Sequence, residues 1–196
     1  ARNPRQIGED PTFERRASEI TQHIRSVQER AKASVGRWTQ GGGPTDWRVL
    51  ITLSLYALQA LTITVEADIR RLTITAGIGR ETARTALLRL AEDGWITQTE
   101  AACGPRAAHW KINPAPCIHK SLTMARSQAD PRPEGAGAAE RLTLKAELTG
   151  VLEAAAHDLF TTAPGLGPLA GNLYSQTTDC PRTAEDLSHQ AGLSLR

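Results

Sequence analysis

The stretch Ala67–Ile96, ADIRRLTITAGIGRETARTALLRLAEDGWI, decides the fold of this chain. Apolar residues recur at helical spacing on both sides of the short segment Gly77-Ile-Gly79. The pattern therefore predicts a helix over Ala67–Ala76, a turn, and a second helix over Arg80–Asp93. Gly94 follows that second helix and suits the left-handed conformation in which helices commonly end.

The residues around this stretch predict further short elements. A helix should begin at Thr45 and carry apolar side chains inward, followed by a β-branched strand over Leu61–Val65. Two more strand-like segments, Trp95–Thr99 and Ala107–Ile112, flank a loop with a Gly104-Pro105 turn. Residues 44–113 thus predict one domain in the order helix, strand, helix, turn, helix, strand, loop, strand.

Residues 1–43 predict a polar leader and an amphipathic helix. Its apolar seam comprises Phe13, Ala17, Ile20, Ile24, Val27, Ala31 and Trp38. A seam of this period either forms a coiled-coil homodimer or packs against the next domain, and the sequence leaves both alternatives open. Gly41-Gly-Gly-Pro44 then predicts a hinge, because the Lys-Ser/Thr that a phosphate-binding loop requires does not follow.

The second half of the chain contains a shorter copy of the same pattern. Prolines and glycines predict a linker over residues 114–138, and residues 139–196 predict a helical segment. Within it, Leu187–Ser194 matches Leu72–Gly79 at an offset of 115 residues. Thr183 and Asp186 have the spacing of a capping box at the start of a helix.

The stretch quoted above resembles the winged helix-turn-helix of bacterial transcriptional regulators and of plasmid and mobile-element replication proteins. Its Ala-Gly-Ile turn, the Arg-Leu at the helix end and the Asp-Gly-Trp-Ile exit into a strand carry the resemblance. The fold class expected is mainly α with small β wings, as a tandem winged helix-turn-helix whose second copy is truncated. The resemblance implies binding of double-stranded DNA, with Arg80–Asp93 as the helix that enters the major groove.

Helical periodicity divides the residues of this helix between two sides. Ala83, Ala86, Leu87 and Leu90 should face the core, and Arg80, Thr82, Arg84, Thr85 and Arg89 should face outward. Arginine pairs bidentately with guanine, so the residues of the first turns should read bases, whereas Arg89 is better placed for a phosphate. The alternative is a solvated basic face with ion pairs along the helix.

Four cations outside this helix are further candidates for DNA contact. Arg70 and Arg71 should touch phosphates, Arg106 at the hairpin tip should enter a minor groove, and Lys111 adds one contact. Trp95 and Trp110 are expected to pack in the core.

Composition argues against several other classes of protein. Three cysteines without a CxxC pair favour neither a disulfide framework nor zinc, and Cys103, His109, Cys117 and His119 are irregularly spaced. No nucleophile, base and orienting acid can be assembled, so we expect no catalytic residues, no cofactor and no enzyme activity. Polar residues interrupt the longest apolar run, Val49–Val65, so no membrane partner is expected. The cysteine pattern predicts a reducing, cytoplasmic location.

The function expected is site-specific binding of double-stranded DNA, in a replication-associated role such as origin binding on a plasmid or mobile element. A transcriptional repressor is one alternative. Another is the accessory part of a larger replication enzyme, because the chain begins at Ala1 and ends at Arg196 within a motif. A protein-interaction adaptor is a third, since some winged helices bind proteins.

Overall fold

The computed structural model describes residues 11–104, 106–114, 136–154 and 183–191, together with Ala170 and Tyr174. Its helices and strands follow in chain order: α1 Pro11–Ala33, α2 Val35–Thr39, α3 Gly43–Ala60, β1 Thr64–Ala67, α4 Ile69–Ala76, α5 Arg80–Glu92, β2 Ile96–Glu100, β3 Ala108–Ile112, α6 Ala136–Ala154 and α7 Ala184–Ala191. The expectation of a mainly helical chain with a small β part is confirmed. The element order predicted for residues 44–113 is also the order observed.

The three strands form one antiparallel sheet in the order β1-β3-β2. Val65 of β1 pairs with Trp110 of β3, and Ile96 of β2 pairs with Ile112 of β3. The first strand begins three residues later than the predicted Leu61, which instead caps α3 in the left-handed conformation. The side chains of Trp95 and Trp110 are 3% and 5% exposed, so their predicted place in the core is confirmed.

Local interactions determine where α4 and α5 begin and end. Asp68 caps α4, because its side chain accepts hydrogen bonds from the backbone N–H groups of Arg70 and Arg71. Gly77 ends α4 with a φ of 64°, and Gly94 follows α5 with a φ of 72°, as the sequence predicted for Gly94. The inward positions of α5 are fully or almost fully buried: Ala83, Ala86, Leu87 and Leu90.

The apolar seam of α1 is covered within the chain. Ala17, Ile24 and Val27 are completely buried, and α1 packs along both α6 and α3. Glu14 accepts a hydrogen bond of 3.0 Å from the Ala138 N–H in the first turn of α6, where an acidic group is favoured by the helix dipole. Of the two alternatives that the sequence left open, the structure adopts packing of the seam against the rest of the chain.

In the segment Gly41–Pro44, where the sequence predicts a hinge, Gly41 and Gly42 form a turn, and Gly43 and Pro44 are the first, buried residues of α3. Gly43 is buried, and a Cβ added to it would lie 2.8 Å from the carbonyl carbon of Trp38. A Cβ on Gly42 would lie 2.5 Å from Cζ of Arg89. Because other groups approach the backbone this closely, glycine is needed here for space rather than for flexibility.

The sequence similarity between the two halves of the chain coincides with two helices of equal length. An offset of 115 residues places Ile69–Ala76 (α4) on Ala184–Ala191 (α7), end to end. The residue before each helix caps it: Asp68 for α4, and Thr183, whose Oγ1 accepts from the Asp186 N–H at 3.1 Å, for α7. The predicted capping box is therefore present. The linker, apart from its ends, and the turn predicted after α7 in the truncated second copy lie outside the described residues.

No helix in the described part of the chain has the length and apolar character needed to cross a bilayer. The spacing of apolar residues predicts one stripe on α6 and beyond it: Leu144, Leu148, Val151, Leu152, Ala155 and Leu159. Leu144, Leu148 and Leu152 are at most 6% exposed on α6, whereas Val151 is 37% exposed. Ala155 and Leu159, the last two predicted members of that stripe, lie outside the described residues. The core of the structure lies between α1, α3, α6, the α4–α5 pair and the inner face of the sheet.

The close approach at Gly43 predicts the effect of adding a single methyl group. Gly43→Ala should lower the free energy of unfolding by about 1 to 3 kcal/mol, the usual cost of overpacking. Gly36→Ala is the matched control, because Gly36 lies in α2 with nothing within 4 Å of its added Cβ. The control should stabilise the protein by up to about 1 kcal/mol through helix propensity. Urea unfolding measures both, and equal stability of the two variants would contradict the close packing at Gly43.

Candidate nucleic-acid interface

One face of α5 is left uncovered by the rest of the chain. This outer face of α5 comprises Arg80, Glu81, Thr82, Arg84, Thr85 and Leu88, all of which are exposed. Four of the five outward residues predicted for this helix therefore lie on it. The Arg84 Nη1 is 3.2 Å from Oε1 of Glu81, and both side chains are more than half exposed. An ion pair this exposed contributes about 0 to 1 kcal/mol, so Arg84 can exchange it for a ligand at small cost.

A groove of about 510 Å³ separates the outer face of α5 from the β2–β3 hairpin. Arg84 and Leu88 line one wall, and Gln98 and Arg106 line the other. The structure thus brings together Arg84 and Arg106, which lie 22 positions apart in the sequence. The acidic residues Glu66, on β1, and Asp68, just before α4, also line this groove. Its surface therefore carries both signs of charge, with the arginines on the two facing walls.

Arg89, predicted to contact phosphate, is instead bound inside the protein. Its Nη2 lies 2.5 Å from Oδ1 of Asp46, and its Nε lies 2.9 Å from Oδ2 of the same carboxylate. This bidentate pair leaves the Asp46 side chain completely buried and the Arg89 side chain 35% exposed. The hydrogen bond to Asp46 raises the pKa of Arg89 and outweighs the opposing effect of burial. Arg89 therefore contributes to holding α5 in place, and we leave it out of the proposed interface.

A second arginine completes this cluster, in which only the Asp46 side chain is fully buried. Arg37 Nη2 donates to Oδ2 of Asp46 at 2.7 Å, and Arg37 Nε donates to Asp93 at the end of α5. Burial alone would lower the pKa of Arg37, but the hydrogen bonds and charges of Asp46 and Asp93 raise it. The Asp46 cluster, consisting of Arg37, Asp46, Arg89 and Asp93, thus joins α2, the first turn of α3 and the last turn of α5.

A separate buried arginine ties the α4–α5 turn to the rest of the protein. Arg48 is 2% exposed, and its Nε donates to the Ala76 carbonyl at 2.7 Å. Its Nη1 and Nη2 lie 3.5 Å from the Leu152 carbonyl near the end of α6. Burial lowers the pKa of the Arg48 guanidinium, whose cationic form is favoured by the negative ends of both helix dipoles. The position of α4 is therefore coupled to that of α6.

Three further residues predicted to contact DNA, Arg70, Arg71 and Lys111, differ in their surroundings. Arg70 and Arg71 are exposed on α4, but Arg71 lies over the Tyr56 ring at 4.2 Å and donates to Gln59 of α3. Lys111 and Trp110 are neighbours on β3, so their side chains point to opposite faces of the sheet. Trp110 lines the groove, which places Lys111 on the far side of the sheet, away from Arg84.

Sequence reasoning missed several residues that shape this surface. Asp46, Arg37 and Arg48 gave no signal because their partners are distant in the chain. Leu88, by contrast, could have been found, since it follows Arg84 by one helical turn on the exposed side. No group of three potential metal-binding side chains occurs within the residues the structure describes. Cys117 and His119 lie outside those residues.

Comparison of the chain with protein-family models, with curated proteins and with solved structures finds no match. The function of this chain must therefore be inferred from the geometry and charge of its own surface.

The Asp46 cluster predicts a large effect of removing one buried charge. Asp46→Asn should lower the free energy of unfolding by about 2 to 4 kcal/mol, because Arg89 loses its paired carboxylate and Arg37 loses one of its two, while both guanidinium groups retain some contact with water. Asp68→Asn makes the same change at an exposed helix cap, where asparagine caps as well as aspartate, and should be nearly neutral. Chemical denaturation of both variants tests this, and similar stabilities would show that the cluster does not hold the helices together.

Proposed function

We propose that residues 43–112 form a winged helix-turn-helix that binds double-stranded DNA, with the outer face of α5 in the major groove. The single observation that carries this proposal is the arginine-bearing outer face of α5, exposed beside a hairpin that carries Arg106 across the groove. An α-helix fits the major groove, which is about 12 Å wide. Arginines on that helix are the side chains best suited to guanine O6 and N7.

The Asp46 cluster and the buried Arg48 support this function because base reading depends on placement. A side chain that hydrogen-bonds base edges must be held by a rigid scaffold, since small displacements lose the bidentate geometry. The Asp46 cluster holds the C-terminal end of α5 against α3, and Arg48 binds the end of α4, just before the turn that leads into α5. The outer face of α5 is therefore presented by elements that are packed on their other side.

The roles proposed for individual residues follow from their placement. Arg80, Thr82, Arg84 and Thr85 are the base-reading candidates, and Arg70 is a phosphate contact at the start of α4. Arg106 approaches the DNA backbone or minor groove from the hairpin. Arg71 is a weaker phosphate candidate because Tyr56 and Gln59 already bind it. Lys111 contacts DNA only if the duplex reaches the face of the sheet opposite the groove.

The proposed biological role is site-specific binding in replication, such as at an origin of a plasmid or mobile element, with transcriptional repression as the alternative. The equivalence of α4 and α7 supports a second helix-turn-helix that begins at Thr183. Duplexes retained from a random pool can be sequenced and the selected site located in the source DNA. A site within an origin would support the replication role, whereas a site over a promoter would support repression.

Two arginines should respond differently to alanine substitution. Arg84→Ala should weaken binding to the selected site by about 1 to 3 kcal/mol and relax base preference at one position. Arg70→Ala should weaken binding to all sequences alike and reduce the dependence of affinity on salt concentration. Fluorescence anisotropy with the selected duplex and a scrambled duplex, each over a salt series, measures both effects.

Arg25→Ala is the matched control for these variants, because Arg25 is an exposed cation on α1 that does not line the groove. It should leave affinity and salt dependence unchanged. If Arg84→Ala left both affinity and base preference at the wild-type values, α5 would not be the helix in the groove. If the wild-type protein bound no duplex at moderate salt, the proposed function itself would be wrong.

A further inference from the structure

Leu88 is a large apolar side chain in an unusual position. It is 65% exposed, whereas its neighbour Leu87 is 4% exposed and Leu90 is fully buried. Single exposed leucines are common on protein surfaces and by themselves need no explanation. Leu88, however, lies on the outer face of α5 and lines the groove opposite the hairpin. Leu88 is therefore available for contact with a molecule bound in this groove.

The residues near Leu88 on α5 form an ordered chemical series. Glu81, Arg84 and Leu88 follow each other at spacings of three and four, so they lie one above the other along the helix. They offer a hydrogen-bond acceptor, a bidentate donor and an apolar surface in that order. Arg84 and Glu81 are paired with each other in the structure. Leu88 has no polar group and can contribute only through apolar contact.

The major groove of DNA presents one apolar group, the C5-methyl of thymine. Glu66 and Asp68 line the groove at β1 and α4, but the charged residues that line its α5 and hairpin walls are Arg84 and Arg106. These two walls favour a polyanion as the occupant over an apolar partner surface. We propose that Leu88 is a specificity-determining residue that contacts a thymine methyl next to the base read by Arg84. This inference rests on the proposed function, because it requires α5 to lie in the major groove.

Removal of the methyl group alone tests this contact. Each thymine of the selected duplex is replaced in turn by deoxyuridine, which keeps base pairing and removes only the methyl. One replacement should weaken binding of the wild-type protein about fourfold, the value of one buried methyl group. Leu88→Ala should bind the unmodified duplex less tightly by a similar factor and should no longer distinguish thymine from uracil at that position.

Ile74→Ala is the matched control, since Ile74 is 76% exposed on α4 and does not line the groove. It should keep the fourfold preference for thymine. Thermal unfolding checks that Leu88→Ala folds as the wild type does, as expected for so exposed a position.

The outcomes separate this inference from the function on which it rests. Sequence-selective duplex binding without any effect of thymine replacement, or with the same effect in Leu88→Ala, would overturn the role of Leu88 and leave DNA binding intact. Failure of the wild-type protein to bind any duplex would overturn both.

Discussion

The buried carboxylate of Asp46 is the constraint on which the rest of this structure depends. It lies in the first turn of α3 and is completely excluded from water, so it must be neutralised inside the protein. Arg89 from α5 and Arg37 from α2 supply the counter-charges, and Arg37 also binds Asp93. One buried charge thereby determines how α5 lies against α3. It also explains the tight glycine turn before α3, because the Arg89 guanidinium occupies the space beside Gly42.

The other side of the structure is held by contacts of the same kind between distant elements. Arg48 links the end of α4 to the end of α6, and Glu14 binds the start of α6 to α1. Arg141 of α6 donates to the Leu58 carbonyl near the end of α3 at 2.9 Å. In each case a charged side chain satisfies backbone groups at a helix terminus, which would otherwise be left without partners. These contacts hold α1, α3, α4 and α6 together and leave the outer face of α5 exposed.

Much of the local structure could be predicted from sequence, because helices and strands follow from spacing and from residues that cap or end them. The inward positions of α5, the left-handed Gly94 and the capping box at Thr183 are examples. The sequence was less informative where a residue's role depends on what approaches it from elsewhere. Arg89 was expected to face DNA, and Gly41–Pro44 was expected to bend freely. In the structure Arg89 pairs with Asp46 and lies beside Gly42, and the backbone of Trp38 lies against Gly43.

The sequence by itself determined the order of the helices and strands, the side of α5 that is buried, and the arginines that remain exposed on the opposite side. Only the tertiary structure decided that Arg89 pairs with the buried Asp46 carboxylate. It also placed Arg84 and Arg106 at the same groove. It also decided that the seam of α1 is covered by α3 and α6. The physical reason is range: periodicity and capping act over a few residues, whereas charge pairing and burial depend on groups that only the folded chain brings together.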